Sequence, residues 1–169
     1  MYQVGDLIVY GSTGVCTVEE ISLRDPLKKD HLYYILRPLF QNCVISTPVH
    51  NDKVSMRPVI SGKEAECLID RIPSIQVEGC YDKAMWKLSA YYESILKEHN
   101  CLQLVKLTMS IYAKKQDMEA HKRKLGAVDE RFLHRAEDLL FEELSVALDI
   151  PKEDVPGYIS QRLSNDVNL

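Results

Sequence analysis

Trp86 is the chain's one tryptophan, and it stands among charges. Residues 82–97, Asp-Lys-Ala-Met-Trp-Lys-Leu-Ser-Ala-Tyr-Tyr-Glu-Ser-Ile-Leu-Lys, read as an amphipathic helix with Asp82 as its N-cap. At about 100° per residue, Ala84, Leu88, Tyr91, Tyr92 and Ile95 gather on one face. Trp86 falls opposite, in the sector of Lys83, Ala90, Glu93 and Lys97. An indole in that sector leaves apolar surface in water unless something covers it. Either the segment before the helix packs over its first turn, or the ring is a contact residue for a partner. Nucleic acid is one candidate partner.

Bond-making chemistry has no comparable signal. The five histidines, His31, His50, His99, His121 and His134, show no His-x-x-x-His or Cys/His ligand spacing and read as surface or turn residues. There is no Gly-x-Gly-x-x-Gly, no phosphate-binding loop and no Gly-x-Ser-x-Gly elbow. The acidic pairs Glu137-Asp138 and Glu142-Glu143 are expected on the solvent face of a helix, as solubilising charge. Five cysteines, Cys16, Cys43, Cys67, Cys80 and Cys101, form no Cys-x-x-Cys pair; reduced, largely buried thiols are expected, with neither disulfides nor zinc. A binding protein without cofactor or metal is favoured over an enzyme.

The net charge of −4 over 169 residues is unevenly spread. Residues 1–60 are balanced, residues 61–75 carry one net negative charge, residues 76–125 carry nine basic against six acidic side chains, and residues 126–169 carry four against ten. The basic excess lies around Trp86 and is modest, enough for weak nucleic-acid binding; a solvated helix face has the same composition. No apolar run reaches the roughly 18 to 20 residues of a membrane span. The N-terminus has no signal-peptide pattern, so a cytoplasmic location is expected.

The elements that must position Trp86 fall into two parts. Asp6–Tyr10 and Gly14–Ile21 are short β-branched runs separated by the turn residues Gly11-Ser12-Thr13-Gly14. His31–Arg37 ends at Pro38, Cys43–Thr47 ends at Pro48, and Asp25-Pro26 and Asn51-Asp52 mark turns. So few short strands suit a small, strongly bent barrel of the SH3 or Tudor kind. From Ser61 the period is helical. Ser61-Gly62-Lys63-Glu64 has the capping-box form and opens a helix that runs to about Arg71 and stops at Pro73. After the Trp86 helix, Cys101–Lys115 is apolar nearly all round and predicts a buried helix. Residues 116–124 are polar, and Gly126 breaks them from a long helix over Asp129–Leu148. Pro151 starts a last short element, which Pro156-Gly157 is expected to interrupt. The fold class is α+β: a Tudor/SH3-like β-barrel over residues 1–60, then an all-α helical bundle over residues 61–169.

Several blocks resemble the CarD-like bacterial transcription regulators. Tyr2-Gln3-Val4-Gly5-Asp6-Leu7-Ile8-Val9-Tyr10 and Gly14-Val15-Cys16-Thr17-Val18-Glu19-Glu20-Ile21 are similar to the family's opening signature. Tyr34-Ile35-Leu36-Arg37-Pro38-Leu39, Thr47-Pro48-Val49 and Val54-Ser55-Met56-Arg57-Pro58-Val59-Ile60 continue the likeness. Phe132-Leu133-His134-Arg135-Ala136-Glu137 with Glu143-Leu144 resembles the family's last long helix. The first block alone also resembles the Tudor-like module of the transcription-repair coupling factor.

The resemblance implies that the barrel docks on a lobe of the RNA polymerase β subunit. It implies that the helical part touches promoter DNA at the upstream edge of the melted bubble, where a tryptophan matching Trp86 wedges into the minor groove. Arg24 matches a basic polymerase-contacting position, with Ile45 and Ser46 beside it; Ser46 falls where some members carry arginine. Family members commonly follow the tryptophan with basic residues, whereas Trp86-Lys87-Leu88-Ser89-Ala90-Tyr91 keeps only Lys87. Glu130 stands where some members have lysine, with Arg131 adjacent, and Tyr10-Gly11 replaces a usual Tyr-Pro as a loop change. Phosphate contacts then rest on Lys83, Lys87, Lys97 and Arg131, and DNA binding alone is expected to be feeble. A monomer acting on polymerase and promoter DNA is the expectation. The alternatives are a protein–protein adaptor with Trp86 at a domain interface and a sequence-specific repressor. No recognition helix rich in Arg, Asn or Gln supports the repressor.

Overall fold

The computed structural model describes residues 1–24, 31–81 and 84–166. The chain is mixed α+β, an antiparallel five-stranded sheet followed by helices. Its strands are β1 (Leu7–Tyr10), β2 (Gly14–Leu23), β3 (Leu32–Pro38), β4 (Ile45–Pro48) and β5 (Met56–Pro58), in the order β4-β3-β2-β1-β5. The expected turn Asp25-Pro26 lies outside the described residues.

β2 is long because it serves both halves of the bend. Its pairing with β3 shifts register between Val18 and Glu20, leaving Glu19 as an extra residue that bends the strand. Inside the curve lie Ile8, Cys16, Val18, Tyr34 and Leu36. Across the mouth, the Tyr10 hydroxyl meets Thr47 Oγ1 at 3.3 Å, linking β1 to β4 through side chains. Pro38, Pro48 and Pro58 each occupy the last residue of a strand, inside it rather than beyond it. β4 and β5 are edges, where a missing N–H costs no ladder bond.

The helices are α1 (Gly62–Arg71), α2 (Met85–Glu98), α3 (Cys101–Ala120), α4 (Ala127–Leu148) and α5 (Val155–Asp166). Both halves of the expected capping box form at α1: Ser61 Oγ accepts from the Glu64 N–H, and Glu64 accepts from the Ser61 N–H at 2.7 Å. α3 continues to Ala120, past the expected end near Lys115. Helix length is set by the terminating turn rather than by polarity, and that turn comes only at His121–Arg123. Pro156 does not interrupt α5; it sits in the first turn, where a helix has no bond for its N–H to make. A separate core joins α1 through α5, built on Leu68, Leu96, Leu104, Ile111, Phe132 and Leu144. No described helix is long and apolar enough to cross a membrane.

The β1–β2 hairpin is buried from both sides. Ile8 and Cys16 face the barrel core, and their neighbours Val9 and Val15 are buried as well, outside that cluster. α4 comes close enough at Gly14 (φ +105) that a Cβ there would run into Glu142 Oε2 and sit 3.5 Å from Leu139. The two cores therefore share a wall.

Two expectations about burial fail at this wall. Glu142 and Glu143 are buried, not on the solvent face of α4, and His99 is fully buried rather than a surface residue. Of the five cysteines, all free, Cys43 and Cys67 are exposed and Cys80 is intermediate, so the thiols are not largely buried.

Candidate nucleic-acid interface

α2 presents Trp86 one residue after it starts. Asp82, the expected cap, lies outside the described residues, as does Lys83; the described helix begins at Met85 with Ala84 in the N-cap position. Leu88, Tyr92 and Leu96 form its buried stripe, at the i, i+4 and i+8 positions. Tyr91, expected in that stripe, is half exposed, because it lies at the stripe's edge toward α3. Trp86 is 71% exposed and Met85 is exposed beside it. The Lys87 ammonium lies 5.5 Å from the Trp86 ring centroid, over its face. Among the described residues no segment covers the ring, and it is not buried between the sheet and the helices.

Beneath this exposed end the helices are tied by a buried polar link. The Tyr92 hydroxyl donates to Asp129 Oδ1 at 2.7 Å, and Lys114 Nζ meets Asp129 Oδ2 at 2.8 Å. Burial and the Asp129 carboxylate both push the Tyr92 phenol up, so it stays a donor. Arg131 is exposed near the start of α4, its guanidinium 5.0 Å from the Phe132 ring centroid. Arg135, one turn on, pairs with Glu93 of α2 at 3.2 Å. Lys97 shares Trp86's sector but lies 11 residues along α2, about 16 Å away at 1.5 Å per residue. The structure therefore brings Lys87 to Trp86, sets Arg131 on a neighbouring helix, and separates Lys97 from both.

The far end of α2 is anchored in the barrel. His99 ends the helix in the left-handed region at φ 45, which turns its ring inward. Its Nδ1 lies 2.9 Å from the Gly11 carbonyl, which can only accept, so Nδ1 is the donor of that bond. Gly11 is itself at φ +43, a conformation proline cannot adopt. The Tyr10-Gly11 step is thus part of the anchor as well as a loop change. Arg57 of β5 donates to the His99 carbonyl through Nε (3.1 Å) and Nη2 (2.6 Å). The same guanidinium grips Glu143 of α4 with two bonds of 2.5 and 2.7 Å. Glu143 also accepts from the Ile60 N–H at 3.1 Å and the Cys101 thiol at 2.9 Å.

Burial alone would raise the Glu143 pKa, but the close His99 ring (3.4 Å), the Arg57 fork and the Cys101 thiol outweigh it and bring it down to about 2. Burial and the facing carboxylate push the Cys101 thiol up, so it is a protonated donor and not a nucleophile. Arg57, His99, Cys101 and Glu143 are the residues that sequence reasoning missed. A signal existed for one: Phe132, Ala136, Leu139 and Glu143 follow the i, i+4, i+7, i+11 spacing of a single face. A glutamate on that apolar stripe needs a buried partner.

The expected polymerase-facing residues lie around β4. Arg24 is exposed, its guanidinium 5.2 Å from the Tyr33 ring centroid. Tyr33 pairs with Pro48, two residues from Ser46. Ile45 is partly buried against the barrel core, and Ser46, next along the edge strand, is exposed. Residues 2–60 match the family model of the CarD-like/TRCF RID domain. Over its β part the chain is similar to the CarD-like proteins. The match ends at Ile60, one residue before the capping Ser61, so it covers the strands and stops where the helices begin. Proteins of this CarD-like family are regulatory, RNA-polymerase-interacting and transcription-related. No curated protein matches the chain.

Proposed function

We propose that the chain is a transcription regulator that docks on the RNA polymerase β subunit through its CarD-like domain and stabilises open promoter complexes through Trp86. The observation that carries this reading is an exposed tryptophan, 71% accessible, at the tip of a helix whose other end is fixed to a polymerase-interacting domain. Residues 1–60 make the dock, through Arg24, Ile45 and Ser46 on the β4 side. Residues 61–169 make the DNA contact, with Trp86 at the upstream edge of the bubble and Lys87 and Arg131 near phosphates.

Wedging an aromatic edge into an already distorted step costs less than unstacking intact duplex, which takes about a few kcal/mol. A protein that binds the open complex better than the closed one shifts the equilibrium toward open. Docking on polymerase raises the local concentration of the wedge, so weak and largely sequence-independent DNA affinity suffices. A promoter limited by melting gains from a longer-lived bubble, and one limited by escape loses. The adaptor reading with Trp86 at a domain interface is disfavoured by the ring's exposure.

The test is the lifetime of open complexes formed by the cognate polymerase on a promoter with a fragile bubble, with no addition, wild type or Trp86→Ala. Lifetimes should lengthen with wild type and return to baseline with a variant that still folds and binds polymerase. No lengthening with wild type would overturn the reading.

A further inference from the structure

The span that carries Trp86 is pinned on both sides to one buried ion pair. Lys114 of α3 and Asp129 of α4 meet at 2.8 Å, with their side chains only 9% and 5% exposed. Six residues after Trp86, the Tyr92 hydroxyl donates to the other oxygen of that carboxylate, Oδ1, at 2.7 Å. Five residues before it, Tyr81 lays its ring over the Lys114 ammonium, 5.4 Å from nitrogen to centroid. The Tyr81 hydroxyl donates to Asp117 Oδ2, three residues further along α3, at 2.8 Å. Tyr81 thus takes two holds on α3 and roofs the lysine against water, although it is itself mostly exposed.

The approach to Tyr81 is shaped for this seat. Val77 and Glu78 lie in a groove walled by Tyr91 and Ile95 of α2 and by Leu107 and Ser110 of α3. Ser110 Oγ donates to the Glu78 carbonyl and fixes the chain there. At Gly79 the backbone passes so close that a Cβ would stand 2.8 Å from the Tyr81 ring and 3.1 Å from Lys114 Cβ. The absence of a side chain lets the chain run against Lys114 and still fold Tyr81 back over it. Trp86 lies in the first turn of α2, where N–H groups have no partner within the helix. Its orientation therefore depends on what holds the residues before it.

We propose that Tyr81 is a positioning residue for Trp86, clamping the stretch before the indole onto Lys114 as Tyr92 clamps the stretch after it onto Asp129. The clamp holds the first turn of α2 to the bundle, so the exposed ring is presented in one orientation rather than several. Pre-orientation raises the fraction of molecules competent to bind and leaves the contact itself unchanged. Tyr81 acts through Trp86 and not by touching DNA. This inference rests on the reading of Trp86 as a DNA contact and names the group that orients it.

The experiment has two readouts on the full chain. One is the fluorescence anisotropy of Trp86, the chain's one tryptophan, in the free protein. The other is the protein concentration that gives half-maximal lengthening of open-complex lifetime with the cognate polymerase. Wild type is compared with Tyr81→Ala, Tyr81→Phe and Gly79→Ala. One cation–π contact and one hydrogen bond at an exposed site together bias an equilibrium by about five- to tenfold. Tyr81→Ala should lower the anisotropy and raise the half-maximal concentration by about that factor, with circular dichroism and polymerase binding unchanged. Tyr81→Phe keeps the ring over Lys114 and should recover most of both. Gly79→Ala keeps the tyrosine but pushes its ring off the seat, so it should behave like Tyr81→Ala. Wild-type anisotropy in Tyr81→Ala overturns the clamp: with longer half-maximal titrations it would make Tyr81 a DNA contact, and with a lower melting temperature alone a merely stabilising residue. Lowered anisotropy in Tyr81→Ala, restored in Tyr81→Phe, beside a wild type that lengthens no lifetime would sink the wedge reading and leave the clamp standing.

Discussion

Replacing Glu143 by glutamine removes one charge and leaves the shape of the joint almost unchanged. In the wild type that carboxylate is fully buried, accepts two bonds from Arg57, and takes one each from Cys101 and the Ile60 N–H. Glutamine keeps one oxygen acceptor, but its amide turns two donors toward Arg57 and the thiol. Two effects set the magnitude. Disabling one partner of a buried ion pair costs about 3–5 kcal/mol. A carboxyl whose pKa falls from 4.5 to about 2 on folding contributes on the order of 3 kcal/mol at neutral pH.

The two agree, so Glu143→Gln should lose about 3 kcal/mol at pH 7. The sign of the pH dependence follows from the depressed value. The stabilisation is complete above the unfolded pKa of 4.5 and fades as pH falls toward about 2. The gap between wild type and variant should therefore hold from pH 7 to about pH 5 and shrink by about 2 kcal/mol by about pH 3. Urea unfolding of both proteins at several pH values reads it directly, because background acid effects cancel in the difference. A variant as stable as wild type at pH 7, or a gap that does not change with pH, would refute the reasoning.

Other perturbations have equally definite outcomes. Trp86→Ala should change the melting temperature hardly at all, about 0.5 kcal/mol or less, because the ring is mostly in water; differential scanning fluorimetry suffices. Gly14→Ala should cost about 1–3 kcal/mol, since it strains φ +105 and drives a methyl group into Glu142, and a full-length chain melting like wild type would contradict the close approach of α4. Ser61→Ala should cost about 1 kcal/mol in urea unfolding through loss of the α1 cap.

What was legible in the sequence was local. Ser61 and Glu64 carry their own partners three residues apart, so the start of α1 could be placed without knowing anything distant. The β-branched runs and Gly11–Gly14 gave β1 and β2 for the same reason. β5 is three residues long with a proline at its end, and it exists because β1 offers a free edge. Tyr91 is half exposed because the angular position of a stripe's edge depends on which neighbour packs there. Glu143 and His99 read as surface residues because their partner Arg57 lies far away in the chain. Burial of a charge is a property of the meeting of two segments, and single-residue polarity predicts the opposite. For the interface, the outward geometry of Trp86 is readable from a helical wheel, whereas the approach of Arg135 to Glu93 depends on how α4 packs on α2.

Gripping α2 at one end makes it a lever. Trp86 stands 13 residues from His99, so the arm is about 20 Å long. A tilt of about 10° at the joint would swing the indole by roughly 3.5 Å, close to the 3.4 Å spacing of successive nucleotides along one strand. On the proposed reading, a joint with even that much play would let the ring address either of two neighbouring steps. The guanidinium fork, the inward imidazole and the glycine carbonyl that receives it are therefore setting a register. On that reading they decide which base step the wedge meets, from about 20 Å away and without touching DNA.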